Sequence, residues 1–216
     1  MQTVQTGKEK QLVYAHEYRR LKKALQEEFY LEAIAIGYAI IEDRLVAFFH
    51  HAGIVSRQNG TLAINRSIYP YMRELMKKDK DASIKIKDIS VKMDLIKMLL
   101  SLTEDGAAQI DNDVALAADS RKKKAALRKG YMVSLQKQIE KTIDRDTVLK
   151  ILDQLEPWRD ERNQLIHALL SKTVTSSETA RMECAHTGQD LARGIDDALV
   201  KPFKKNNRLR KQHNIQ

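Results

Sequence analysis

Three prolines and eight glycines in 216 residues leave this chain few places to turn. A β-sandwich needs turn residues at short, regular intervals. The composition is instead dominated by Ala, Leu, Lys, Glu, Gln and Arg, the residues that lose least on entering a helix. The expectation is an all-α fold. Apolar residues make up 43% and charged residues 31%, so a hydrophobic core is affordable and wholesale disorder is not expected. The length suits one core, or one domain carrying a long excursion.

A single cysteine, Cys184, excludes an internal disulfide, so the chain has no need of an oxidising compartment. The opening MQTVQTGKEKQ lacks the apolar core of a signal peptide. The most apolar stretch, Ala33 to Phe49, is interrupted by Glu42, Asp43 and Arg44 and reads as a buried helix, not as a bilayer span. A cytoplasmic protein without a membrane partner is expected. The formal charge of +9 favours polyanions as partners. No basic amphipathic helix with a bulky aromatic face stands out, so nucleic acid is preferred over an anionic membrane.

Apolar periodicity places helices over about Glu9–Glu28, with the stripe Leu12, Tyr14, Tyr18, Leu21 and Leu25, and over Phe29–His51, stopped by Gly53. Ser56 to Pro70 reads as a loop with a turn at Asn59-Gly60, followed by a short basic helix, Tyr71–Lys78. A long helix is expected over Ser83–Ser101 and a break over DGAAQIDND. A further long helix is expected from Val114 towards Thr142, bent near Gly130. Asp146 is a candidate cap for the next helix, which Pro157 should end or kink. Pro157 then suits the first turn of a helix over Glu156–Ser171. Thr175 and Glu178 have capping-box spacing for a last helix reaching Val200. Residues 1–200 thus read as one helical domain, with 55–110 as an insertion, and 201–216 as a basic, loose tail.

The chemically informative segment is PWRDERNQLIHALL, Pro157 to Leu170. At 100° per residue, Trp158, Leu165, Ile166 and Leu169 surround Arg162, which therefore lies within the apolar face. Asn163 and His167 are four apart and share one edge of that face, continued by Asp160 one turn earlier. A guanidinium cannot be neutralised, so a buried one must meet a carboxylate, face a polar cleft or receive an anionic ligand. The plainer alternative is an Arg162 that snorkels to solvent beside a hydrogen-bonded core histidine. Glu42 lies equally inside an apolar stripe, among Tyr38, Ala39, Leu45, Val46 and Phe49. Two opposite charges in apolar faces are expected to meet, giving a Glu42–Arg162 pair whose role is structural or functional.

Arg162-Asn163-Gln164-Leu165-Ile166-His167 matches R-N-x-x-x-H near the start of a late helix, and IGYAIIEDRLVAFF is an earlier apolar helix with an internal acid. With these features the chain resembles the HEPN superfamily (higher eukaryotes and prokaryotes nucleotide-binding domains) over residues 10–172. The fold this implies is a HEPN-like helical bundle, here with additional helices and a basic C-terminal tail. The activity it implies is metal-independent RNA cleavage without a cofactor, in a homodimer that joins two copies of the motif in one cleft. His167 would move the proton of a ribose 2′-hydroxyl, and Arg162 would bind the scissile phosphate. Asn163 would orient His167 or donate to a phosphate oxygen. Family members of this kind are commonly toxins or phage-defence effectors of Abi type, restrained by an antitoxin protein or a regulatory RNA. Two other readings stand beside it: a non-catalytic helical RNA-binding or adaptor module, and a nucleotide-binding partner of a nucleotidyltransferase.

Basic clusters agree with an RNA partner. Arg121, Lys122, Lys123, Lys124, Arg128 and Lys129 lie within nine residues, and the tail carries Lys201, Lys204, Lys205, Arg208, Arg210 and Lys211 without an acid. Such charges track phosphates without reading sequence; the plain alternative is a solvated face. Metal-ligand spacing is missing around His50-His51, Cys184 and His186, and Asp105, Asp111 and Asp113 lack the remainder of a calcium loop. The sequence contains neither a P-loop nor a dinucleotide fingerprint.

Overall fold

The structure is a computed structural model that describes residues 7–58, 61–78, 84, 86, 88–118, 127–171 and 177–212. For 7–10, 57–58, 61–62, 169–171 and 207–212 it describes the backbone alone. In chain order the elements are α1 (Gly7–Gln26), α2 (Tyr30–His51), β1 (Val55–Gln58), β2 (Thr61–Ile64), α3 (Tyr69–Leu75), α4 (Ile89–Ser101) and α5 (Glu104–Leu116). They continue with α6 (Tyr131–Thr142), α7 (Arg145–Ser171), α8 (Glu178–Ile195), a π-helical turn (Asp196–Val200) and α9 (Lys201–Gln212). Among the described residues the fold is all-α apart from one hairpin. Among the described residues no helix is long and apolar enough to cross a membrane.

The chain divides into two compact units, Met1–Leu45 with Val148–Ala198, and Val46–Thr147 with Leu199–Gln216. In the first, α1 packs on α8. Its core joins Leu21, Ile34, Ile41 and Leu45 of α1 and α2 to Leu152, Leu155 and Trp158 of α7 and to Cys184, Leu191 and Ile195 of α8. Leu12, expected on the packed stripe, is exposed; burial on α1 begins nearer Leu21 and Ala24. Glu28, at φ 60°, reverses the chain into α2.

The second unit takes in residues 55–110 and extends beyond them on both sides. Gly53 ends α2 as anticipated, with φ 71° and the Ile54 amide returning to the Phe49 carbonyl. The next stretch, expected to be a loop, is an antiparallel hairpin with Val55 opposite Ile64 and Gln58 opposite Thr61. Its turn at Asn59-Gly60 lies outside the described residues. Three helices surround this unit's core in contact with α6, namely α4, α5 and α9.

Five expectations about elements are corrected. DGAAQIDND is not a break but most of α5, because Thr103 Oγ1 accepts the Gly106 amide and Glu104 and Asp105 occupy the positive first turn. A continuous helix from Val114 to Thr142 does not form: α5 ends at Leu116, and α6 starts anew after Gly130 at φ 62°. Asp111 caps that start, accepting from the amides of Met132 and Val133.

Pro157 neither ends nor begins a helix but sits inside the 27-residue α7. Pro157 has no N–H to donate to the Asp153 carbonyl one turn earlier, and both residues are exposed, so this side of the helix is open to water. The buried stripe Val148, Leu152, Leu155, Trp158 and Leu165 runs past the proline on the opposite side. The α7 cap is Asp144, which accepts from the Thr147 amide, and not Asp146; the α8 cap is Ser177, while Thr175 lies outside the described residues. Finally, the basic stretch after Val200 is helix α9 to Gln212, with Phe203 fully buried and its ring 5.3 Å from that of Phe48.

Candidate phosphate-binding site

Arg162 occupies the middle of α7, one turn after Trp158 and one turn before Leu165 and Ile166. Trp158 is almost fully buried, and its Nε1–H donates to the Cys184 carbonyl of α8 at 2.8 Å. No space remains between them: a Cβ built on Gly188 would lie 2.7 Å from Trp158 Cζ2. On its other side Gly188 lets α2 approach, with the Gly37 Cβ position 3.6 Å from the Gly188 carbonyl. Glycine is required at Gly188 because any side chain would displace the indole.

This close approach brings Tyr38, beside Gly37, into the site. Its ring stacks on Trp158 with centroids 6.5 Å apart and planes inclined by 26°. The Arg162 guanidinium carbon lies 4.2 Å from the centroid of the same tyrosine ring. Such a contact is worth about 0.5–2 kcal/mol, more as water is excluded. Arg162 Nη1 also donates to Asn163 Oδ1 at 2.8 Å. A guanidinium only donates, so the amide oxygen must face it, and the Asn163 NH2 is left to donate elsewhere. Arg162 Nε is buried and has no hydrogen-bond partner among the described residues, which costs about 1–3 kcal/mol.

Glu42 does not fulfil its expected role. Among the described residues no ion pair joins it to Arg162, whose partners are Tyr38 and Asn163 instead. Glu42 follows Tyr38 by one helical turn, and it is the ring, not the carboxylate, that meets the guanidinium. Asn163 is likewise turned towards Arg162 and not towards His167. The imidazole of His167 is exposed and forms no hydrogen bond or ion pair among the described residues. The plainer alternative of a core histidine is therefore not what the structure contains. Arg162 itself is only partly exposed, so it does not snorkel freely into water.

Cys184 lies under the indole. Burial pushes its thiol up to about 12, Glu161 adds to the rise, and the Trp158 hydrogen bond and the Arg162 charge oppose it. A thiol held protonated in this way is not a nucleophile at neutral pH.

Of the expected RNA-binding residues, Arg128 and Lys129 are exposed in the second unit, where the Arg128 carbonyl accepts from the Tyr71 hydroxyl. Lys204 and Lys205 are exposed on α9. Arg208 and Arg210 are described only as helical backbone, and Arg121, Lys122, Lys123 and Lys124 lie outside the described residues. Sequence reasoning read Tyr38 only as part of the apolar stripe around Glu42 and passed over Gly37 and Gly188. Tyr38 was open to discovery, because it stands four residues before Glu42 on the same face of α2. The two glycines carried no such signal. No protein-family model, curated protein or solved structure matches the chain.

Proposed function

We propose that the protein is an endoribonuclease of HEPN type that needs no metal. The observation that carries this reading is the setting of Arg162: a partly buried cation held by an amide and an aromatic ring, with no carboxylate in ion-pair contact among the described residues. A guanidinium placed so keeps its charge for an anionic ligand. The adjacent Asn163 amide supplies a further donor, and a solvent-accessible imidazole follows on the same helix.

In the proposed reaction His167 takes the proton from a ribose 2′-hydroxyl as O2′ bonds to phosphorus. The P–O5′ bond breaks, and the leaving oxygen takes a proton from the second imidazole of a homodimer or from water. The products are a 2′,3′-cyclic phosphate and a 5′-hydroxyl. Arg162 stabilises the charge gathering on the phosphoryl oxygens. A toxin or phage-defence effector, held in check by an antitoxin protein or a regulatory RNA, is the biological setting this activity fits.

The test is incubation with single-stranded and transfer RNA in EDTA. Cleavage is expected from the wild type, with ends carrying a cyclic phosphate. His167→Ala should lower the rate by about 10²–10⁴-fold while its circular-dichroism spectrum stays unchanged. Equal nicking by both proteins would sink the proposal. One observation favours a second reading, a non-catalytic RNA-binding module: His167 makes no polar contact with Arg162 or Asn163. That reading predicts salt-sensitive RNA binding that survives His167→Ala, with no cyclic-phosphate ends.

A further inference from the structure

We infer that Tyr38 is a positioning residue for Arg162, its ring forming a neutral seat that holds the guanidinium ready for a phosphodiester. The inference rests on the phosphate-binding reading of Arg162 and deepens it.

An arginine in a folded protein is ordinarily held in place by carboxylates, which fix its geometry but also compensate its charge. Arg162 is immobilised differently. One face is covered by the Tyr38 ring at 4.2 Å, and one nitrogen donates to the Asn163 oxygen. Neither partner carries a charge. The ring attracts the cation through its quadrupole and leaves the net charge intact. The seat is itself anchored: Tyr38 stacks on Trp158, and Trp158 is tied to the Cys184 carbonyl and pressed against Gly188. Arg162 and Asn163 together then present N–H donors and a positive charge beside the seat, which suits a phosphodiester and not a cationic ligand.

Trp158 is the only tryptophan and touches the seat, so its fluorescence reports occupancy. The probe is a deoxy-dinucleotide, which carries a phosphodiester but lacks the 2′-hydroxyl and is not cut. Titration of the full chain should show Tyr38→Phe binding within about twofold of the wild type, because the ring survives. Tyr38→Leu and Tyr38→Met should bind about tenfold more weakly, the equivalent of 1.4 kcal/mol. The two apolar variants guard against one failing to fold. A purely structural role would make affinity follow melting temperature, whereas the inference requires it to follow the presence of a ring.

Wild-type affinity in Tyr38→Leu or Tyr38→Met overturns the inference. If Arg162→Gln abolishes binding in that same series, the phosphate-binding reading of Arg162 survives alone. If Arg162→Gln binds as well as the wild type, that reading fails and the seat has nothing to position. Ring-dependent binding without any RNA cleavage supports the seat and sinks only the nuclease.

Discussion

Two arginines of the first unit each lie over a tyrosine ring, yet they are held in opposite ways. Arg44 of α2 covers Tyr14 at 3.3 Å and pairs with Asp196 at 3.0 Å and Asp43 at 3.2 Å. Arg162 covers Tyr38 and, among the described residues, hydrogen-bonds the Asn163 amide and no carboxylate. Both have a buried Nε without a hydrogen-bond partner among the described residues, so an orphaned donor does not tell them apart. The carboxylates do. Arg44 is a structural cation paired with carboxylates; Arg162 is a cation whose described partners are an amide and a ring, neither of them charged. A stacked arginine is thus no sign of a site by itself. What it lacks around it is the sign.

The largest expected effect separates the two directly. Arg162→Gln should cut RNA cleavage by about 10²–10³-fold, with stability changed by less than about 1 kcal/mol. Arg44→Gln should do the reverse. It removes the Arg44 partner of Asp196 in a setting where both side chains are mostly covered, 12% and 14% exposed. A loss of about 3 kcal/mol is expected by urea unfolding, with cleavage per folded molecule unchanged. A stability loss of that size at Arg162, or a cleavage defect at Arg44, would erase the distinction.

The next effect sharpens the Arg162 side. Gly188→Ala puts a methyl group where the Trp158 ring lies and should cost about 1–3 kcal/mol. Trp158 emission should shift, and the deoxy-dinucleotide should bind more weakly than to the wild type. A stability loss with unchanged emission would show that the helices part without disturbing the indole, detaching the seat from its support.

The smallest effect concerns the Arg44 side. Burial first, then Asp196 and Asp197, push the Tyr18 phenol up to about 12 from its usual 10, against the pull of Arg193. The folded chain holds this proton where the unfolded chain has lost it. The contribution to stability is therefore complete below pH 10 and is lost as pH rises through about 12. Melting temperature should fall across that window, and Tyr18→Phe should make the fall shallower. The difference is on the order of 1 kcal/mol, allowing for screening of a partly exposed hydroxyl. An identical slope in the variant would mean that neither burial nor the Asp196 and Asp197 charges hold this proton on folding.

Much of this was legible beforehand, and unevenly. Helical class and the ends of α1 and α2 followed from composition, periodicity and Gly53. The breaks at DGAAQIDND and Pro157 did not occur, because local breakers were overruled by a cap at Thr103 and by burial of the opposite face of α7. The chain after Val200 looked like a charged tail because one aromatic, Phe203, is a weak signal among so many lysines; a single buried ring nonetheless places that segment in the core of its unit. At the site, the position of Arg162 within an apolar face was readable from spacing alone. Its partner was not.

The sequence by itself determined that Arg162, Asn163 and His167 ride on one helix, since their separations are set by 3.6 residues per turn whatever the rest of the chain does. Only the tertiary structure decided that Tyr38, and not Glu42, meets the guanidinium. Those two residues share a face of α2 and differ by four positions, about 6 Å along the axis. Which of them faces Arg162 depends on how α2 is placed against α7, and local spacing along either helix does not fix that placement.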